Sequence, residues 1–224
     1  MNLTEILAYL DSLNIGNTVL TTWGVMAGFT VVGLILNRSA TLMNVAEAIV
    51  VAIETAISEV LPVEYVRRVL PFVATLWLFV LVSNLVGLIP EMHAPTRDLS
   101  ATSALAVLVF CSTHWYGIRA QGLRNHLRHY LQPSLILLPF HIVSEFTRTL
   151  ALAIRLFGNI MSLEMAALLV LLIAGFLVPV PLLMLHVIEA VVQAYIFGML
   201  ALIYIAGALE SGENQSSSNS KEKP

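Results

Sequence analysis

From Pro133 to Leu177 the chain runs for about 45 residues that are mostly apolar, yet carry Glu145, Arg148, Arg155, Asn159 and Glu164. That run constrains the fold more than any other feature. One membrane crossing takes about 20 apolar residues, and a run this long exceeds a perpendicular span even with generous tilt. Four further apolar stretches, at 18–36, 69–89, 99–118 and 182–209, are each of a length to cross a bilayer. The long run is bounded by Pro133 at its start and broken by Pro179 and Pro181 at its end, so its apolar core is expected over 134–177. Composition agrees: 58% of the 224 residues are hydrophobic and 11% charged, where soluble domains carry about 25% charged residues. The mean hydropathy is +0.86.

The expected fold is therefore an all-α integral membrane protein with about five membrane-crossing helices, forming a single membrane domain over 1–209. Residues 43–61 differ from the spans. There Asn44, Glu47, Glu54 and Glu59 alternate with Val, Ile and Ala, and Glu47 and Glu54, seven apart, share a helix face. This predicts an amphipathic helix at the membrane surface or packed on partners. The tail 210–224 is rich in Ser, Glu, Asn and Lys, the composition of a disordered segment. The N-terminal stretch lacks a basic start and an A-x-A cleavage site, and the first basic residue is Arg38, so the first apolar run is expected to remain as a span. Cys111, the single cysteine, can form no internal disulfide and is expected to be a buried, inert thiol.

Basic residues set orientation. With the N-terminus outside, Arg38, Arg67, Arg68, Arg119, Arg124, Arg128, Lys221 and Lys223 all fall on the cytoplasmic side, and Arg97 alone falls outside. The other two basic residues, Arg148 and Arg155, lie within the membrane.

Those membrane charges carry the functional signal. A charged side chain at the bilayer centre costs about 2.5–3.5 kcal/mol on insertion scales. Arg148 is near enough to one end of its run to snorkel; Arg155, flanked by LALAI and LF, is deeper. At about 100° per residue, Arg148, Arg155, Asn159 and Ser162 fall within about 60° of one another, and Glu164 falls opposite Arg155. His186, Glu189, Gln193 and Tyr204 likewise form one stripe on the last apolar helix. Hydrogen bonding between helices would account for Gln193 or Asn159 alone, but poorly for a set with Arg, Glu and His. Arginine holds its proton at every accessible pH and acts as a fixed charge; Glu and His can change charge. A fixed cation on one face with titratable groups behind it suits two separate aqueous paths kept from short-circuiting.

The segment LALAIRLFGNIMSLE (150–164), with its core L-x-x-R-L-F-G-N at Leu152 to Asn159, resembles the signature of subunit a of F-type ATP synthases. VSNLVGLIP (82–90) resembles that family's first hairpin helix, and LHVIEAVVQAYIF (185–197) its last, with His186 and Gln193 seven apart. The likeness spans roughly residues 40 to 209. It implies that Arg155 is the stator arginine, that Asn159, Glu164, His186 and Gln193 line half-channels or face a rotor, and that Glu164 and His186 form an acid–imidazole pair. Glu145, Arg148, Glu189 and Asn84 are accessory candidates. The resemblance further implies that the last two helices are long, tilted and cup a rotor ring of c subunits, with b-type peripheral stalk subunits, the lipid bilayer and, indirectly, the soluble catalytic head as partners, in the plasma membrane. The chain departs from many members in having Thr149 after Arg148, and in Glu145, Glu189 and the polar tail.

Under this reading the chain carries H+ or Na+ to and from rotor carboxylates and is not itself an enzyme. It has no G-x-x-x-x-G-K-[ST] loop and hence no P-loop nucleotide site, and no cofactor, metal or nucleic acid is expected. The alternative is a self-contained ion-coupled secondary transporter, which also uses buried charges but usually has repeated halves; no internal repeat is evident. A haem carrier using His114, His141 and His186 would need facing histidines at matched depth, and no two on one helix have that spacing.

Overall fold

The computed structural model describes residues 15–36, 38, 40–88, 94–122, 138–174 and 179–221. Pro90, Arg124, Arg128, Pro133 and Lys223, which entered the sequence reading, lie outside them. Among the described residues the chain forms six α-helices: α1 (Ile15–Leu36), α2 (Ala40–Ser58), α3 (Val63–Val86), α4 (Leu99–Gln121), α5 (Leu138–Ala174) and α6 (Pro179–Lys221), with a 3-10 turn at Pro95–Arg97 between α3 and α4. Four helices are long and apolar enough to cross a membrane: Val63–Val86, Leu99–Ala120, Pro139–Ile173 and Pro181–Leu209. The apolar stretch of α1, Thr21–Ile35, is shorter. At 37 residues α5 is about 55 Å long, so it stays within a hydrocarbon layer of about 30 Å only when steeply inclined.

Local chemistry marks the helix ends. Asp98 caps α4, its carboxylate accepting the Ser100 N–H at 3.0 Å, which satisfies one of the first-turn donors that no helical carbonyl can reach. Gly122 follows α4 with φ +80°, a conformation that side-chain-bearing residues rarely adopt, while its N–H donates to Ile118 O at 2.8 Å.

The core is the bundle of α3, α4, α5 and α6, with α2 laid along α3. Ile53 and Ile57 of α2 join Val69 and Val73 of α3 and Leu202 and Ile205 of α6 in one buried cluster, while Glu47 and Glu59 stay exposed. The outward side of α2 also carries exposed Met43, Val45, Ile49 and Val51, and Glu54 is half-buried, so that side is more apolar than the sequence pattern suggests. A second cluster joins Val80, Val109, Leu152, Leu156 and Phe197 across α3 to α6. Within lipid, apolar contact alone gives little preference for helix over tail, and close packing decides association. Small residues on α6 allow it: Ala190, Ala194, Gly198 and Ala201 are buried. At Gly198 a β-carbon would overlap the indole of Trp77, which packs directly on the α6 backbone and stacks with Tyr195 at 5.7 Å between ring centroids.

Two expectations change. Cys111 is exposed, not buried: the face of α4 that packs inward carries Ala106, Val109, Thr113 and Gly117, and position 111 points away from it. The helix α6 also continues to Lys221, through the segment whose composition reads as disordered. Extending an existing helix needs no new nucleus, so the backbone can remain helical where no apolar face calls for it.

Candidate functional site

The bundle leaves one face of α5 uncovered, and Arg155 stands on it. Its neighbours Ala151 and Ile154 are exposed, whereas Leu152, Ala153 and Leu156 are buried against the rest of the protein. Arg155 is itself exposed and has no ion pair among the described residues. A guanidinium at membrane depth favours a carboxylate partner or water, and no carboxylate among the described residues pairs with it.

Glu164, nine residues further along, stands about 13 Å higher on α5 and points to the opposite side. Its Oε1 accepts from Arg97 Nη1 at 2.6 Å, in an ion pair whose side chains remain about one-third exposed. Arg97 belongs to the 3-10 turn. The preceding residue, Thr96, is fully buried and donates from Oγ1 to Asn84 Oδ1 of α3 at 2.8 Å. Asn84, also fully buried, extends its Nδ2 toward Ala190 O of α6 at 3.5 Å. One short turn thus ties α3, α5 and α6 together at this end of the bundle.

Lower down, Asn159 Nδ2 donates to Gln193 Oε1 at 2.7 Å and bridges α5 to α6. Gln193 is buried, and its Nε2 has no partner among the described residues; the same holds for Nε2 of buried His186. Glu189 is partly buried one helical turn beyond His186. The expected partner of Glu164 was His186, but the carboxylate makes its ion pair with Arg97. In the sequence Arg97 stands apart only as the one basic residue expected outside. Its contact lies 67 positions away in sequence, a distance no helical periodicity can bridge.

At the other end of α5, Arg148 lies 3.7 Å from Glu145 and sits over the Tyr204 ring at 4.6 Å from its centroid. Both arginines, Asn159 and Glu145 therefore lie along α5, with Gln193 and Tyr204 facing them from α6. Among the described residues no cluster of three or more His, Cys, Asp or Glu could hold a metal ion.

Among the described residues, then, Arg155 stands without an ion pair on the bare face of the long helix α5, with polar groups toward both ends of that helix. The sequence profile of the family described as ATP synthase A chain matches residues 19–206. The chain belongs to that family. It is 57% identical over 224 residues to ATP synthase subunit a 2 of Pelobacter propionicus, with 98% of each chain covered. It is 54% identical over 217 residues to ATP synthase subunit a of Legionella pneumophila, covering 94% of each, and 57% identical over 212 residues to ATP synthase subunit a 1 of Hahella chejuensis, covering 92% of this chain and 90% of that one. As a member of the ATP synthase A chain family it is a non-catalytic, multi-pass subunit of the membrane sector, and ATP chemistry takes place on other chains.

Proposed function

We infer that the chain is the stator ion-channel subunit of a rotary ATP synthase, with Arg155 as the charge that separates two half-channels. The observation that carries this reading is the exposed, unpaired guanidinium on the uncovered face of α5. A carboxylate brought past it on a ring of c subunits would supply the partner that the described residues do not. The ring site accepts an ion from one half-channel, crosses lipid in its neutral form, and releases the ion when it meets Arg155, because a nearby positive charge favours the ionised carboxylate. The outer half-channel would use Glu164, His186, Glu189, Asn84, Asn159 and Gln193; the inner one, Glu145 and Arg148. The unpartnered Nε2 atoms of His186 and Gln193 support an aqueous path, since buried polar groups ordinarily find a partner or a water.

The same reading places the N-terminus outside and the C-terminus in the cytoplasm of a bacterial plasma membrane, with α1 as a fifth crossing and the domain extending over 1–209. Basic residues support it: Arg67, Arg68 and Arg119 gather at one end of the bundle, where Arg68 and Arg119 line a cavity of about 460 Å³ with Tyr65, Trp115 and Tyr116, and such a cluster favours the cytoplasmic side. A b-type stalk would hold the subunit still. H+ or Na+ would be the carried ion.

The test is Arg155→Ala in reconstituted vesicles. ATP synthesis and ion-driven rotation should be lost while subunit content on gels stays normal, and passive ion leak should appear. Arg155→Lys should substitute poorly, because a lysine held away from bulk water in the membrane gives up its proton readily. Near-normal synthesis by the alanine variant would refute the reading.

A further inference from the structure

We propose that Arg97 is a positioning residue of the outer half-channel, holding the Glu164 carboxylate in the orientation from which it exchanges ions with the exterior. The proposal rests on the stator reading above and adds to it a residue outside the membrane-crossing helices. Its basis is geometric. Arg97 Nη1 lies 2.6 Å from Glu164 Oε1, at the short end for a charge-assisted N–H···O bond, which usually spans about 2.7–2.9 Å. The bond engages the Oε1 oxygen of the carboxylate, so Oε2 can face an incoming ion.

The turn that carries Arg97 is not a loose loop. Pro95 and Thr96 are buried, and Thr96 is fastened to Asn84, which reaches α6. Asp98, the next residue, caps α4. Arg97 is therefore held from both sides along the backbone, and its guanidinium is delivered to α5 from a fixed base. Arginine keeps its charge at every accessible pH, so it does not relay a proton itself. It can only set where the carboxylate sits and what charge surrounds it. Both side chains are about one-third exposed, which leaves the pair open to the ions it would handle.

The experiment uses the intact complex in vesicles and reads ATP-driven ion pumping, together with passive flux after the catalytic head is stripped. Subunit content is checked for every variant. Glu164→Gln should slow flux; if it does not, Glu164 leaves the path and the channel reading of it fails first. Given a slow Glu164→Gln, Arg97→Ala should reduce flux about tenfold, as expected when a reacting group loses its orientation, and Arg97→Lys should recover at least half of the loss. The double variant should be no slower than Glu164→Gln alone. Normal flux in Arg97→Ala, or losses that multiply in the double variant, would overturn the proposal and leave the stator reading intact. The charge-reversed pair Arg97→Glu with Glu164→Arg covers the case in which single variants fail to assemble. It keeps an ion pair between turn and helix but moves the carboxylate off α5. Assembly restored without flux is the expected result; flux restored along with assembly would show a merely structural clasp and overturn the proposal.

Discussion

The two ends of α5 hold their charges differently. At the Glu164 end, a turn from outside the helices reaches in, and its Thr96 and Arg97 are bonded to α3 and α5. At the Arg148 end, contacts come from α5 itself and from α6: Glu145 three residues back at 3.7 Å, and the Tyr204 ring at 4.6 Å. The first cluster includes fully buried polar side chains, Asn84 and Thr96. In the second the Arg148 side chain is 41% exposed. A buried polar group left without its partner costs about 1–3 kcal/mol, whereas exposed ion pairs contribute about 0–1 kcal/mol. One end is thus fastened through buried polar bonds, while the other is held by exposed contacts of little individual strength.

The comparison would break most completely if the ends were assigned to the wrong sides of the membrane. With Cys111 replaced by Ala, single cysteines at the exposed positions Ser100 and Ala120 should react with a membrane-impermeant maleimide from opposite sides. The first should label only from outside and the second only from the cytoplasm; the reverse pattern would invert the topology. The next largest effect is expected from Asn84→Leu. It leaves the Thr96 hydroxyl and the Ala190 carbonyl without their side-chain contact and should destabilise the subunit by about 1–3 kcal/mol. Thermal melting in detergent reads the stability, and pumping should fall with it. The smallest effect belongs to the other end. Tyr204→Leu removes a cation–π contact worth about 0.5–1 kcal/mol at an exposed site, and pumping should stay within about twofold of the parent. A larger loss than that of Asn84→Leu would show the Arg148 end to be the more firmly built of the two.

The sequence makes much of this architecture legible because membrane crossings are written as long apolar runs, and a charge within such a run is conspicuous. Placing Arg155 and Glu164 on opposite faces needs only the helical repeat, and the structure has Arg155 exposed on the bare face and Glu164 turned inward to the bundle. Asn159 and Gln193 stand on separate stripes that meet through one hydrogen bond. What periodicity misses is tertiary. It does not say which residue of a short turn reaches which helix, so Arg97 passes as a topology marker. Nor does it fix how a helix rotates against its neighbours, and a cysteine within an apolar span is then as easily outside as inside. The helical 210–221 segment shows the reverse limit: composition reports on the chance of packing, while the backbone follows the helix before it.

The contact between Trp77 and Gly198 has a mechanical consequence. With the indole seated on bare backbone, sliding α6 along its axis would drive the neighbouring side chains of Ala194, Phe197 and Ala201 against the bundle. The ring acts as a key in a slot. A sideways or axial push received on the uncovered face of α5 and α6 would be passed on to α3 with little play. For a part whose task is to stand still while something turns beside it, backlash of an ångström at this joint would loosen the whole bundle; the missing β-carbon at position 198 is what lets the joint close.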